Sequence, residues 1–168
     1  MLFSGDYEIK GKHASYIRFL SATTRRLDKS AKVAGIINTA VDIYAIAPLV
    51  GLAYNRKAPE DSATSDTYSI LASQMINHQS ELEFSYRLIM LVDNSSGLSY
   101  DERIDRAFKQ DEQPDKLKEN KELFHQYMRG GLEWLYEHFT DGATTKEDYL
   151  EKVYEVMSIY KEDFNIEC

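Results

Sequence analysis

The sequence predicts an all-α protein: a single-domain bundle of five to seven helices preceded by a short extended N-terminal segment. Three observations lead there. The chain has only three prolines and eight glycines in 168 residues, which leaves long uninterrupted windows for helices. Within those windows apolar residues recur every three or four positions, the period of one helix face. The composition, 43% apolar and 29% charged, is that of an ordinary globular chain of one-domain length, so neither a disordered nor a fibrous class fits.

Residues 1–12 carry Gly5 and Gly11 around Tyr7-Glu8-Ile9-Lys10, which reads as an extended lead-in or one short strand. From His13 to about Arg26, Tyr16, Ile17, Phe19 and Leu20 fall mostly on one face with Arg18, Arg25 and Arg26 around it, so a helix is expected. The next helix should start near Ser30 and end at Asn55-Arg56-Lys57, where cations meet the negative helix end and Pro59 follows. Pro48 removes a backbone donor inside it, predicting a kink or two successive helices with the break between Tyr44 and Pro48.

Val33 to Tyr54 contains one formal charge, Asp42, and 22 residues could span a bilayer. A carboxylate near the middle, together with Asn38 and Pro48, favours a helix at the centre of a soluble core over a membrane span. Met1-Leu2-Phe3-Ser4-Gly5-Asp6 shows no basic and apolar leader, and Cys168 is the only cysteine, so a cytoplasmic protein without disulfides or a cysteine-based zinc site is expected.

Ala58 to Ser65 reads as a loop, with Ser65 or Asp66 capping a long helix that carries Leu71, Met75, Leu82, Tyr86 and Ile89 and stops at Asp93-Asn94-Ser95-Ser96-Gly97. Ser99-Tyr100-Asp101-Glu102 fits a capping box that opens a short helix to about Lys109. After Gln113-Pro114 a helix should run from Asp115 to Phe139, with Leu117, Phe124, Met128, Leu132, Leu135 and Phe139 inward and Gly142 as its stop. Gly130-Gly131 inside it costs about 1 kcal/mol each against alanine. Close approach of another helix, or a kink next to Trp134, would account for the pair. Thr144 and Glu147 suggest another capping box, before Tyr149, Val153, Val156 and Tyr160 and an end near Phe164. No internal repeat argues for a solenoid.

Charge is distributed unevenly. Lys10, Lys12, Arg18, Arg25, Arg26, Lys29 and Lys32 face Asp28 alone, a net +6 over Lys10 to Lys32, which leaves −14 on the remainder of a chain at −8. Such a patch can pair with acidic helices of the same chain or a second copy, dock an acidic protein, or contact a nucleic-acid backbone, with Tyr16 or Phe19 stacking on an unpaired base. The acidic remainder would repel phosphate at long range.

Chemistry is thinly represented. Glu122-Leu123-Phe124-His125 has the spacing of one half of a di-metal bundle site, but no second Glu-x-x-His occurs, so no metal or other cofactor is expected. His78 and His138 sit on apolar stripes and read as packing residues. No nucleophile elbow, phosphate loop or dinucleotide turn is present. Asp42 is directed inward by the apolar pattern and needs a cation; Arg87, set in Tyr86-Arg87-Leu88-Ile89-Met90-Leu91, is the expected mate in a structural ion pair. Trp134 and Tyr136 are candidate protein contacts, since aromatics are enriched at hot spots.

Tyr86-Arg87-Leu88-Ile89-Met90-Leu91-Val92-Asp93 and Asp101-Glu102-Arg103-Ile104-Asp105-Arg106-Ala107-Phe108 resemble small helical accessory proteins of bacterial DNA-modification and phage-defence operons. That resemblance implies a non-catalytic subunit docking on a larger nuclease or ATPase. Three functions are therefore carried forward: a helical accessory or adaptor module binding a protein partner or its own copy, a nucleic-acid-binding module using Lys10 to Lys32, and an enzyme with an unrecognised site near Glu122 and His125.

Overall fold

A computed structural model describes residues 2–27, 29 and 34–166. The chain is mainly helical, with eight helices and two short strands among the described residues. In order these are β1 (Tyr7–Lys10), α1 (Lys12–Leu20), α2 (Ala22–Leu27), α3 (Ala40–Ala53), β2 (Thr67–Ile70), α4 (Ala72–Asn77), α5 (Gln79–Val92), α6 (Tyr100–Phe108), α7 (Pro114–Thr140) and α8 (Lys146–Asp163).

The lead-in forms a strand because it finds a partner. β1 pairs antiparallel with β2, Tyr7 opposite Ile70 and Ile9 opposite Tyr68. β2 occupies the start of the expected long helix, and the remainder divides at His78 into α4 and α5. Tyr68 and Ile70 suit a strand as well as a helix, and the open edge of β1 decides between them. Ile9 and Ile70, fully buried, fix which strand faces turn inward.

The helix expected over His13 to Arg26 also divides. Ser21 bridges to Ile37, and the Ala22 amide donates to the Ile37 carbonyl at 2.8 Å. That extended partner occupies residues expected to be helical, so the apolar helix starts only at Ala40. Thr39 opens it with a capping box: its hydroxyl accepts from the Asp42 amide while Asp42 accepts from the Thr39 amide at 3.0 Å. Pro48 lies inside α3 and does not divide it, contrary to the expected break. Burial of Ala47, Pro48 and Val50 offsets the lost hydrogen bond, a cost of about 3 kcal/mol.

The central packing is α3 against α7, and glycine makes it possible. A Cβ on Gly131 would lie 2.6 Å from the Gly51 amide nitrogen and closer still to the Ala47 carbonyl oxygen; one on Gly130 would lie 2.9 Å from the Lys57 nitrogen. Gly51 reciprocates, its absent Cβ falling 2.9 Å from the Tyr127 carbonyl carbon. Close approach of α3 is thus the reason for Gly131, and close approach of the Arg56-Lys57 backbone that follows α3 the reason for Gly130. Around this crossing, Phe3, Tyr44, Tyr86 and Phe124 form an aromatic cluster, with Phe3 and Phe124 centroids 5.3 Å apart.

The Ser99–Glu102 capping box opens α6 as expected. At α8 the box is shifted by one residue: Thr145 and Asp148 form it, and Asp148 also accepts from the Thr144 amide at 2.9 Å. These backbone donors hold the Asp148 carboxyl down at about 2. Among the described residues no helix is long and apolar enough to cross a membrane.

Candidate functional site

Much of the basic segment is engaged by the chain itself. Lys10 pairs with Glu60 at 3.1 Å, Lys12 with Glu133 at 2.9 Å, and Arg18 with Asp66 at 2.9 Å while also donating to the Thr67 carbonyl. Arg26 donates to the Asn38 carbonyl at 2.8 Å. Lys29 is exposed. The Arg25 side chain and Lys32 lie outside the described residues. The segment therefore ties α1 to the loop before β2 and to α7.

The expected Asp42–Arg87 pair does not form. Asp42 is half-exposed at the first turn of α3, held by Thr39, with His78 at 4.0 Å. Arg87 makes a bidentate pair with Asp111 and donates to the Ala107 carbonyl. The helix cap satisfies Asp42 locally, a role that an apolar periodicity does not display. Trp134 is buried, stacked between Tyr54 and His138, and so is a packing residue and not an exposed contact; Tyr136 stacks on Tyr16 with centroids 3.9 Å apart.

Most of the titratable clusters are engaged within the chain, although the buried Nδ1 of His13 has no hydrogen-bond partner among the described residues. Glu122 turns to Arg129, while His125 Nε2 meets the Tyr44 hydroxyl at 2.9 Å and the imidazole stacks on Tyr7, so Glu122 and His125 border one open cavity but each is engaged with another partner. His13 Nε2 meets Glu133 at 3.0 Å, and Glu133 also holds Lys12 and Arg56. Among the described residues the one unforeseen buried carboxylate is Asp93: it accepts from Tyr127 at 2.7 Å and Ser95 at 2.8 Å, and faces Lys57 and Arg106 at 3.4 Å each. Burial alone would raise the Asp93 carboxyl; the hydroxyl donors and the two cations outweigh it and leave it below the usual range. Lys57 donates to Ser95 Oγ at 2.8 Å and Ser95 donates on to Asp93. Every proton points toward the carboxylate, the reverse of what a lysine base and serine nucleophile require. Among the described residues no group of three or more His, Cys, Asp or Glu side chains could hold a metal.

His125 carries a testable consequence. Burial first, then Arg129 and Lys121, push its pKa down from 6.5 to about 3. Between those values the unfolded chain binds a proton that the folded chain does not, so this contribution is full above pH 6.5 and is lost as pH falls toward 3. Burial lowers His13 as well, in the same direction. Allowing for the partly exposed edge of the residue, stability near pH 5 should fall by about 1–2 kcal/mol through His125. Urea unfolding of His125→Gln should show a correspondingly shallower acid slope; an unchanged slope would remove His125 as its source.

Of the open surface, one groove is predominantly apolar. α3 and α5 leave between them a groove of about 580 Å³ floored by Ala45, Leu49 and Ser85 and edged by Ile46 and Phe84, which are 44% and 64% exposed. Asp42, His78 and Glu81 stand at its rim. The sequence hid Ile46 and Leu49, because a helix apolar all round reads as wholly buried. Phe84, Leu88 and Leu91 did offer a signal, a second stripe beside Leu82, Tyr86 and Ile89.

Comparison with protein-family models, curated proteins and solved structures finds no match to the chain.

Proposed function

We propose that the chain is a non-catalytic interaction module, an accessory or adaptor subunit of a larger assembly, built as a single helical bundle and acting in the cytoplasm. The observation that carries this reading is the open α3–α5 groove; the Asp93 and Glu122–Arg129 groups, by contrast, are engaged within the chain. An exposed concave apolar surface with a polar rim is the usual form of a helix-binding groove. The rim selects the occupant: Asp42 and Glu81 favour an amphipathic helical segment of a partner protein with Lys or Arg at the end that meets them.

A photo-crosslinking residue in place of Phe84, in the host cell, tests this. The expected product is one principal adduct whose crosslinked peptide is an amphipathic, basic segment, and Ile46→Asp should abolish it. The same crosslinker at Phe108, exposed on α6, should not give that adduct. Equal labelling from both positions, or none from Phe84, overturns the proposal.

A further inference from the structure

The last helix presents a second uncovered surface, independent of the groove. At 100° per residue, the apolar arc of α8 runs from Val156, Tyr160 and Val153 round to Met157, Leu150 and Tyr154. The body covers only the first part. Val156 is buried, Tyr149 meets Phe19 edge-on, and Tyr160 meets Tyr54. Leu150, Tyr154 and Met157 remain 55%, 75% and 65% exposed.

The charges bordering this stripe decide what covers it. Glu147 lies seven residues before Tyr154 and Lys161 seven residues after it, with Leu150 four before and Met157 three after. The pattern is close to symmetric about Tyr154 in position and opposite in charge at its ends. Neither Glu147 nor Lys161 makes an ion pair among the described residues, whereas Lys152 and Glu155 on the same helix pair with each other. In an antiparallel pair of helices related by a two-fold axis at Tyr154, positions equally distant on either side of it face one another. Leu150 then meets Met157, Tyr154 meets Tyr154, and Glu147 of each copy meets Lys161 of the other, twice by symmetry.

We infer that a second copy of this chain docks on α8, forming an isologous antiparallel dimer closed by Leu150, Tyr154 and Met157 and by reciprocal Glu147–Lys161 pairs. A heterologous basic partner would satisfy Glu147 but leave Lys161 facing a like charge; a second copy satisfies both. One helix face per subunit lies at or below the low end of stable interfaces, about 1,200 Å² in total, so the dimer is a weak one that dissociates on dilution.

Sedimentation equilibrium over a range of concentrations should show reversible monomer and dimer. Glu147→Lys alone and Lys161→Glu alone should each weaken dimerisation about tenfold or more, because each places like charges opposite one another at both ends. An equimolar mixture of these two variants should regain dimer as a heterodimer, and the double variant should regain a homodimer. All five positions substituted or contacted are on an exposed helix face, and circular dichroism should be unchanged by either variant. A chain monomeric throughout the range overturns the inference. So does a dimer insensitive to both substitutions, or a mixture that associates no better than either variant alone.

Discussion

Replacing Gly131 with alanine is expected to destabilise the protein by at least about 3 kcal/mol, enough to threaten folding altogether. Helix propensity alone predicts the opposite sign, since alanine in a helix interior is favoured over glycine by about 1 kcal/mol. Packing decides the outcome. The new methyl group would meet the Ala47 carbonyl oxygen and lie 2.6 Å from the Gly51 nitrogen, and both are backbone atoms of a buried helix. No side chain can rotate away, so α3 and α7 would have to separate and uncover the residues packed beside the crossing. Gly5→Ala, where nothing lies within 4 Å of the added carbon, is the matched control and should shift stability by less than about 0.5 kcal/mol. Urea midpoints of the two variants give the comparison, and a stabilised Gly131→Ala protein would show that the helices do not cross at this point.

Removing the carboxylate at position 93 should be as damaging for an electrostatic reason. Asp93 and Arg106 are 3% and 5% exposed, and Tyr127 donates to the same carboxylate that faces Lys57. In Asp93→Ala the tyrosine hydroxyl loses its acceptor, and two cations are left without their counter-charge. Breaking a buried pair from one side costs about 3–5 kcal/mol. Part of the guanidinium remains satisfied, because Arg106 also donates to the Met90 and Asp93 carbonyls at 2.6 and 2.7 Å. Lys57→Met added to Asp93→Ala should therefore recover stability relative to Asp93→Ala alone, giving a coupling of about 1–3 kcal/mol in a double-mutant cycle. A loss below about 1 kcal/mol in Asp93→Ala would mean that water already shares this site.

The elements legible from sequence were those specified by local chemistry. Ser99 and Glu102 announce the start of α6, and Pro114 together with a regular inward stripe announces α7. Gly130-Gly131 disclosed a close approach, because an unfavoured residue pair inside a helix needs a compensating reason. The elements that were missed depend on partners distant in the chain. Thr67–Ile70 is a strand because Tyr7–Lys10 is available to pair with it, and Ser21 interrupts a helix because Ile37 reaches it. Periodicity contains neither fact. The acidic capping residue at α8 was placed one residue early, since Thr144-Thr145 offers two adjacent hydroxyls and only the fold chooses between them.

The same distinction applies to the surface. Counting cations found the basic segment but could not show that Glu60, Glu133 and Asp66 lie against it. Asp93 was read merely as a helix stop, and its buried role emerges only when Lys57, Arg106 and Tyr127 converge from three other parts of the chain. The outer apolar face of α8 was not read from the sequence either, although it depends on no distant partner. Leu150, Tyr154 and Met157 stand in the sequence at helical spacing beside the inward stripe, and an apolar arc broader than one contact requires was visible there without coordinates.

The crossing of α3 with α7 also sets an order on biosynthesis. Synthesis completes α3 at Ala53, whereas the glycines that receive it arrive at Gly130 and Gly131. For that whole interval the most apolar helix of the nascent chain lacks its principal partner, with α1 and α5 covering only part of it, and the closely apposed backbones cannot form until most of α7 has cleared the ribosome. Folding of the centre is consequently a late event despite the abundance of local helix, and a chain released before Pro114 would expose the surface most prone to aggregation.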